Sequence, residues 1–224
     1  MATWGAHVRI AEAILNVDCS LDEESFLVGN IGPDCGQPNE DWSEFSPSKS
    51  VSHWINEDNI TEAEKFYDKY LNKEIKDNNL YSFLLGYYVH LLTDIHWGNL
   101  VDEKKKTDQK YQKLETDKSF IWTIKKDWYD LDHLYFRKNP NSIFHRIFKN
   151  IESFPDYLDY YPAGAIERQL KYIIGFYTKH DGNPEREYTY FTAKEMDDFV
   201  NEKSNYIIEL LKEKRNRNDS ISKS

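Results

Sequence analysis

Apolar residues recur every three or four positions along most of the chain, and this period is typical of α-helices that bury one face. A first helix begins after Thr3, which can cap it, and a second begins after Asp22. The most apolar helix is predicted over 79–101 and is expected to lie at the centre. The pattern therefore predicts an all-α fold, a single-domain helical bundle.

Further helices are predicted over 61–76, 108–137, 164–179 and 192–214, with a short one after Pro140. Two of them begin with a capping box, at Thr61 and at Thr192, each followed three residues later by Glu. Residues 187–191 fit either a brief strand or an extended linker. Residues 32–60 are polar, and so long a loop inside a domain is often functional. We expect one domain over 1–214 and a disordered tail over 215–224.

Charge and composition exclude several classes of partner. The net charge is −10, so binding to duplex nucleic acid is not expected. No apolar run reaches the ~18 residues of a transmembrane segment, and the first residues do not resemble a secretory signal. With the two cysteines expected to stay free thiols, these features predict a cytoplasmic protein. Nothing in the sequence indicates an oligomeric state.

The predicted central helix carries the strongest chemical signal. His90 and Asp94 are four residues apart, so they project from one face of the helix, beside Phe83, Tyr87 and Trp97. An ionised aspartate on an apolar face is costly unless it is paired or binds a metal. The spacing fits a metal site, and it fits equally an Asp–His hydrogen bond within the core.

Three other residues are candidates for the same chemistry. His7 lies on the apolar face of the first helix, Asp34 follows Gly32-Pro33, and His53 lies in the long loop. Taken singly, they are explained as a core histidine, a turn aspartate and a surface histidine. Those explanations weaken because four candidate positions, counting the His90 and Asp94 pair as one, occur in the first hundred residues of a chain with seven histidines.

Four segments together resemble the zinc-dependent bacterial phospholipase C family, which shares its fold and site with fungal single-strand nucleases. They read TWGAH at 3–7, FLVGNIGPD at 26–34, SHW at 52–54 and LGYYVHLLTD at 85–94. The ordered combination is more specific than any one segment. The resemblance covers 3–97, and 121–137 more loosely, and it implies a small phosphorylated substrate.

The resemblance also implies a set of ligands. Asp34, His53, His90 and Asp94 would bind one zinc ion, and Asp94 would bridge to a second ion that His7 also binds. A hydroxide shared by the metals would attack phosphorus, which agrees with the chemistry of two-metal phosphodiester cleavage. This gives Asp34 and Asp94 catalytic roles, and Asp34 could also orient the water.

The sequence departs from the family in three places. Trp4 follows Met-Ala-Thr, whereas secreted members bind metal through the amine of an amino-terminal Trp. His96 is two residues beyond Asp94 and on another helix face, whereas the family's third-zinc histidine lies further on. The later His-x3-Glu pair is missing, although Asp130 and His133 could form a replacement site. We therefore expect two zinc ions and a weak or absent third.

The function implied is metal-dependent hydrolysis of phosphate esters, with zinc as the cofactor. The alternatives are a non-catalytic metalloprotein whose zinc is structural, and a helical interaction module without metal. Asp127 and Asp132, which lie close to Asp130 and His133 in the sequence, are expected to be solvated. The large aromatic residues near the site are candidates for binding the substrate: Trp54, Tyr87 and Trp97.

Overall fold

In the computed structural model, which describes residues 1–41, 43–179 and 184–221, helices account for 64% of the chain. The α-helices are α1 (Trp4–Leu15), α2 (Glu23–Gly29), α3 (Lys49–Ser52), α4 (Ala63–Tyr70), α5 (Asn78–Thr107), α6 (Lys113–Thr116), α7 (Ile121–Lys138), α8 (Ile143–Arg146), α9 (Ala165–Thr178) and α10 (Ala193–Ile221). The short elements are three 3-10 turns and one antiparallel strand pair, namely η1 (Gly32–Cys35), η2 (Lys118–Phe120), η3 (Phe148–Asn150), β1 (Gln37–Pro38) and β2 (Phe45–Ser46). The predicted all-α, single-domain fold is confirmed.

Helix α5 is the central helix of the bundle. Every residue from 82 to 94 is buried, as expected for a helix that is apolar on all sides. Helix α2 crosses α5 at very short range. A Cβ atom on Gly29 would lie 2.0 Å from a backbone oxygen of α5, and one on Gly86 would lie 2.2 Å from a backbone oxygen of α2. This close approach brings the Asn30 carbonyl to the ring of His90.

Three helix starts agree with the capping residues in the sequence. Thr3 Oγ1 accepts a hydrogen bond from the backbone of α1, and Asp22 does the same for α2. Thr192 and Glu195 bond each other reciprocally at the start of α10, which is the predicted capping box. The predicted box at Thr61 is wrong, because α4 begins at Ala63 without a side-chain cap.

Other segments differ from the sequence prediction in detail. The long loop contains η1, the strand pair and α3, and the helix predicted over 108–137 is divided into α6, η2 and α7. Residues 187–191, all of them described, form no strand. Helix α10 continues through 215–221, where disorder was predicted, while 222–224 lie outside the described residues. Both cysteines are free, and no helix in the described ranges is long and apolar enough to cross a bilayer.

Candidate metal centre

Five side chains from distant parts of the sequence meet beside the central helix. His7 comes from α1, Asp34 from η1, His53 from the end of α3, and His90 and Asp94 from α5. His7 and His90 are completely buried, and Asp94 is 9% exposed. We call these five residues the buried cluster. The structure thus brings together all five residues that the sequence proposed as metal ligands.

The distances within the buried cluster are those of ligands around a cation. Asp94 Oδ1 is 3.4 Å from His7 Nε2, and Asp94 Oδ2 is 3.4 Å from His90 Nε2. His53 Nε2 is 3.3 Å from Asp34 Oδ1 and 3.7 Å from Asp94 Oδ2. Two ligand atoms of a tetrahedral zinc site with bonds of about 2.0–2.1 Å are themselves about 3.3–3.4 Å apart.

Several of these atoms are buried without a hydrogen bond to any described residue. They are both ring nitrogens of His7, Nε2 of His53, Nε2 of His90 and Oδ2 of Asp94. A buried polar atom left without a partner costs about 1–3 kcal/mol. Cations bound there would accept lone pairs from one ring nitrogen of His7 and from these atoms of His53, His90 and Asp94, so the donor set fits metal ions.

Neighbouring groups fix the orientation of two of the imidazoles. The Nδ1–H of His90 donates to the Asn30 carbonyl at 2.8 Å, which leaves its Nε2 lone pair directed into the buried cluster. His53 Nδ1 lies 3.0 Å from Ser52 Oγ, so its Nε2 has the same direction. Metal-binding histidines usually have such a partner on the second ring nitrogen.

Burial and the neighbouring charges set the protonation states. Burial and the adjacent His90 ring, stacked at 3.8 Å, lower the pKa of His7 to about 4. Burial raises the pKa of Asp94, but His90 and His7 more than offset this and hold it well below its ordinary value. A neutral imidazole beside an ionised carboxylate is the form in which both residues bind zinc.

The amino-terminal segment orients both carboxylates of the buried cluster. The Ala2 N–H donates to Asp94 Oδ1 at 2.7 Å, and the Trp4 indole N–H donates to Asp34 Oδ2 at 2.9 Å. The indole contact could not be predicted from the sequence, because Trp4 equally fits the apolar face of α1. Trp4 therefore contacts the buried cluster through its indole hydrogen bond.

Asp132 on α7 anchors the start of α1 from the other side. It accepts hydrogen bonds from Thr3 Oγ1 at 2.9 Å and from the Tyr177 hydroxyl at 2.7 Å. Asp132 was expected to be solvated, yet it is 1% exposed, and Asp127 is 3% exposed. Burial raises the pKa of Asp132 to about 7. The sequence missed this residue because its partners lie on other helices.

The buried cluster lies next to a cavity of about 470 Å³ that Asp34 and His53 line. Other lining residues come from the amino terminus, the strand pair, α7 and α9. Five of them present aromatic rings: Trp4, Phe45, Trp122, Tyr129 and Tyr172. A small ester can therefore reach at least two residues of the buried cluster from solvent.

The three aromatic residues proposed to bind substrate, Trp54, Tyr87 and Trp97, do not line this cavity. Trp97 is buried against Trp128 and Phe199, and Trp54 packs against Phe66. Tyr87 is buried and donates its hydroxyl hydrogen bond to the Ser52 carbonyl, next to His53. Tyr87 and Trp97 lie on the buried helix α5 and pack into the core, so their spacing from His90 and Asp94 did not imply access to substrate.

Asp130 and His133, which were proposed as a replacement for the third metal site, lie apart from the buried cluster. Arg186 Nη2 lies 2.7 Å from Asp130 and 2.8 Å from Asp127, so an arginine of the chain already neutralises these carboxylates. The His133 ring packs against Phe176. Within the described residues, the groups of converging ligand atoms are His7–His90–Asp94 and Asp34–His53–His90.

Comparison with known families gives one match. A family model described as zinc dependent phospholipase C matches residues 6–151. The matched segment contains every residue of the buried cluster. No curated protein and no solved structure matches the chain.

Proposed function

Because the chain belongs to the zinc-dependent phospholipase C family, we propose that it is a metal-dependent hydrolase that cleaves phosphate esters, phosphodiesters among them. The family's description supports zinc and a phospholipid type of substrate. The observation that carries the proposal is the set of unbonded imidazole and carboxylate atoms of the buried cluster, which lies beside an open cavity.

The buried cluster offers ligands for two zinc ions. One ion would be held by Asp34, His53, His90 and Asp94, and the other by His7 and Asp94. The two oxygens of Asp94 face different imidazoles, since Oδ1 is nearest His7 while Oδ2 is nearest His90. This geometry supports a bridging role for Asp94. Asp130 and His133 would contribute no ligand, and Arg186 argues against a third ion beside them.

Zinc bound there would supply Lewis acidity at phosphorus and a nucleophilic water at neutral pH. The residues of the chain provide position and charge. Asp34 lines the cavity, and the Trp4 indole fixes one of its oxygens. Burial raises the pKa of Asp34, but His53 and His90 hold it below its ordinary value, so the carboxylate stays ionised. Asp34 would therefore accept a hydrogen bond from a water in the cavity and would not donate a proton.

A structural zinc site is the second candidate. The complete burial of His7 and His90 favours it, because ligands from α1 and α5 would join the two helices. The cavity favours catalysis, because structural zinc sites are closed whereas catalytic ones keep a position open to water and substrate. Asp34 and His53 both line that cavity.

The test is elemental analysis of the purified protein, followed by turnover of bis(p-nitrophenyl) phosphate and a short-chain phospholipid. We expect bound zinc, activity that a chelator abolishes, and recovery when zinc is added back. His90→Ala should lose metal and activity. Bound zinc without turnover of any phosphate ester would favour the structural site, and protein that binds no metal would overturn both candidates.

A further inference from the structure

The cavity beside the buried cluster is basic, although the protein as a whole carries a net charge of −10. Three cationic side chains line it: Lys49 from α3, Lys125 from α7 and Arg168 from α9. We call these three residues the basic rim. Among the described residues that line the cavity, the one acidic side chain is Asp34, which belongs to the buried cluster.

Among the described residues, the cations of the basic rim have no carboxylate in direct contact with them. Arg168 bonds neutral partners, the Gln37 side chain and the Ala163 carbonyl. Within the described residues, no carboxylate oxygen lies within 4 Å of Lys49, Lys125 or Arg168, whereas Arg186 lies within 3 Å of two carboxylates. Unpaired cations in a concave site concentrate anions there.

The ammonium group of Lys125 interacts electrostatically with two carboxylates of the buried cluster, those of Asp34 and Asp94. Burial lowers the pKa of Lys125, and the ammonium of Lys49 lowers it further, while the carboxylates of Asp34 and Asp94 act in the opposite direction. An anionic group that entered between Lys49 and Lys125 would be attracted by both ammonium groups. Asp34 and His53 line the same cavity, so the phosphate of that ligand would have access to these two residues of the buried cluster.

Two of the five aromatic rings that line the cavity lie near ammonium groups of the basic rim. Lys125 Nζ lies 4.9 Å from the centroid of the Trp122 ring, and Lys49 Nζ lies 5.7 Å from that of Phe45. Quaternary ammonium groups such as choline are recognised by open aromatic faces. At these two rings a choline group would compete with an ammonium group of the protein, and anywhere in the cavity it would be repelled by the cations of the basic rim.

We propose that the basic rim selects phosphate esters that carry a further negative charge, in preference to zwitterionic esters of choline. The inference rests on the proposed function and adds its substrate class. The shared chemistry is an anionic group within reach of Lys49 and Lys125, on a phospholipid head group or on a soluble ester.

The first test measures binding and needs no turnover. The zinc-loaded protein is titrated by calorimetry with phosphocholine, glycerol 3-phosphate and 3-phosphoglycerate, which share a phosphate and become more negative in that order. We expect affinity to rise along the series by about tenfold or more, since nearby charges in a partly shielded site interact strongly. Lys125→Gln should reduce this preference to about threefold or less.

Lys126→Gln is the matched control. Lys126 is the next residue of α7, is exposed and does not line the cavity, so this variant changes the net charge equally. It should keep the wild-type preference. Equal affinity for the three ligands, or equal behaviour of the two lysine variants, would overturn the proposal.

The second test compares turnover and separates the two sources of substrate. The lipid pair is short-chain phosphatidylcholine and phosphatidylinositol 4-phosphate, and the soluble pair is p-nitrophenyl phosphorylcholine and p-nitrophenyl phosphate. In at least one pair kcat/KM should favour the more anionic member, and the double variant Lys49→Glu/Lys125→Glu should reverse that preference. The pair with the higher kcat/KM shows whether the substrate is a phospholipid or a soluble ester.

The two proposals fail in distinguishable ways. If the binding preference depends on Lys125 but no ester is hydrolysed, the proposed function fails and the role of the basic rim in binding stands. If esters are hydrolysed without any preference for charge, the proposed function stands and the inference on the basic rim is wrong.

Discussion

The buried cluster and the carboxylates near Arg186 use the same residue types at similar helical spacing, yet they differ in chemistry. In the buried cluster, His90 and Asp94 are four residues apart, and their facing atoms lie 3.4 Å apart without a hydrogen bond. On α7, Asp130 and His133 are three apart, and Asp130 is paired with Arg186 at 2.7 Å.

The difference shows that helical spacing is necessary for such a site and not sufficient. A pair at three or four residues places two ligands on one face, but further ligands must come from other elements. The buried cluster receives His7 from α1 and Asp34 from η1. The carboxylates on α7 instead receive a cation of the chain itself, which takes the place that a metal would need.

The largest effect is expected for Asp94→Asn. An amide carries no charge and bridges poorly, so two cations left close together would repel with less compensation. We expect loss of at least one zinc ion and a fall in turnover greater than about 100-fold, beyond the usual cost of removing a residue that only supports a ligand. Metal analysis and kinetics measure this, and circular dichroism should show an intact fold.

His96→Ala is the control for that variant. His96 is two residues beyond Asp94, and its ring packs against Tyr206 and away from the buried cluster. The His96→Ala variant should keep both metal ions and most of the activity. Similar losses in the two variants would contradict both the helical-face argument and the bridging role of Asp94.

The sequence predicted the parts of the fold and site that depend on local spacing. Helix α5 with His90 and Asp94, and the caps at Thr3 and Asp22, follow from residues within a few positions of each other. The cavity lining and the burial of Asp132 depend on packing between distant helices, so local patterns could not show them. The cytoplasmic location stays a prediction.

Asp132 is a third kind of carboxylate in this protein, because it accepts hydrogen bonds from neutral hydroxyl groups and, among the described residues, is not paired with arginine. Its pKa is about 7 in the fold against 3.8 for the ordinary group, so it is protonated at pH 5 in the folded state and ionised when unfolded. Stability from this group is therefore lost as the pH rises towards 7. Between pH 5 and 8 the free energy of unfolding should fall by about 2–3 kcal/mol more in the wild type than in Asp132→Asn.

Urea unfolding of the metal-free proteins at both pH values measures that difference. Tyr177, Thr3 and the more distant Arg9 act on Asp132 in both states of the titration, and they are unchanged in the variant. An identical pH dependence in the two proteins would show that Asp132 is already ionised at pH 5.

A smaller effect is expected for Arg186→Gln, which removes the cation from the carboxylates on α7. Asp127 is buried while Arg186 is partly exposed, so we expect a loss of about 1–2 kcal/mol in the free energy of unfolding. Zinc content should not change. The exposed Lys138→Gln on the same helix is the control and should have little effect on stability. A zinc content that falls in Arg186→Gln would show that the two regions are coupled.

The smallest effect concerns the aromatic residues. Tyr172→Ala removes a ring that lines the cavity and should raise KM by about threefold, which corresponds to roughly 0.7 kcal/mol of binding. Trp97→Phe changes a core residue and should lower the melting temperature without changing KM. Steady-state kinetics and thermal unfolding distinguish them. If KM rises for Trp97→Phe and not for Tyr172→Ala, Trp97 contacts the substrate and Tyr172 does not.

The bridging role of Asp94 is tested most directly by anomalous X-ray diffraction at the zinc edge, using crystals of the zinc-loaded protein. We expect two zinc peaks on either side of Asp94, one bonded to His7 and the other to His53, His90 and Asp34, with bonds of about 2.0–2.1 Å to nitrogen. We also expect no peak between Asp130 and His133. Zinc bound at Asp130 and His133, or Asp94 without zinc, would contradict this expectation.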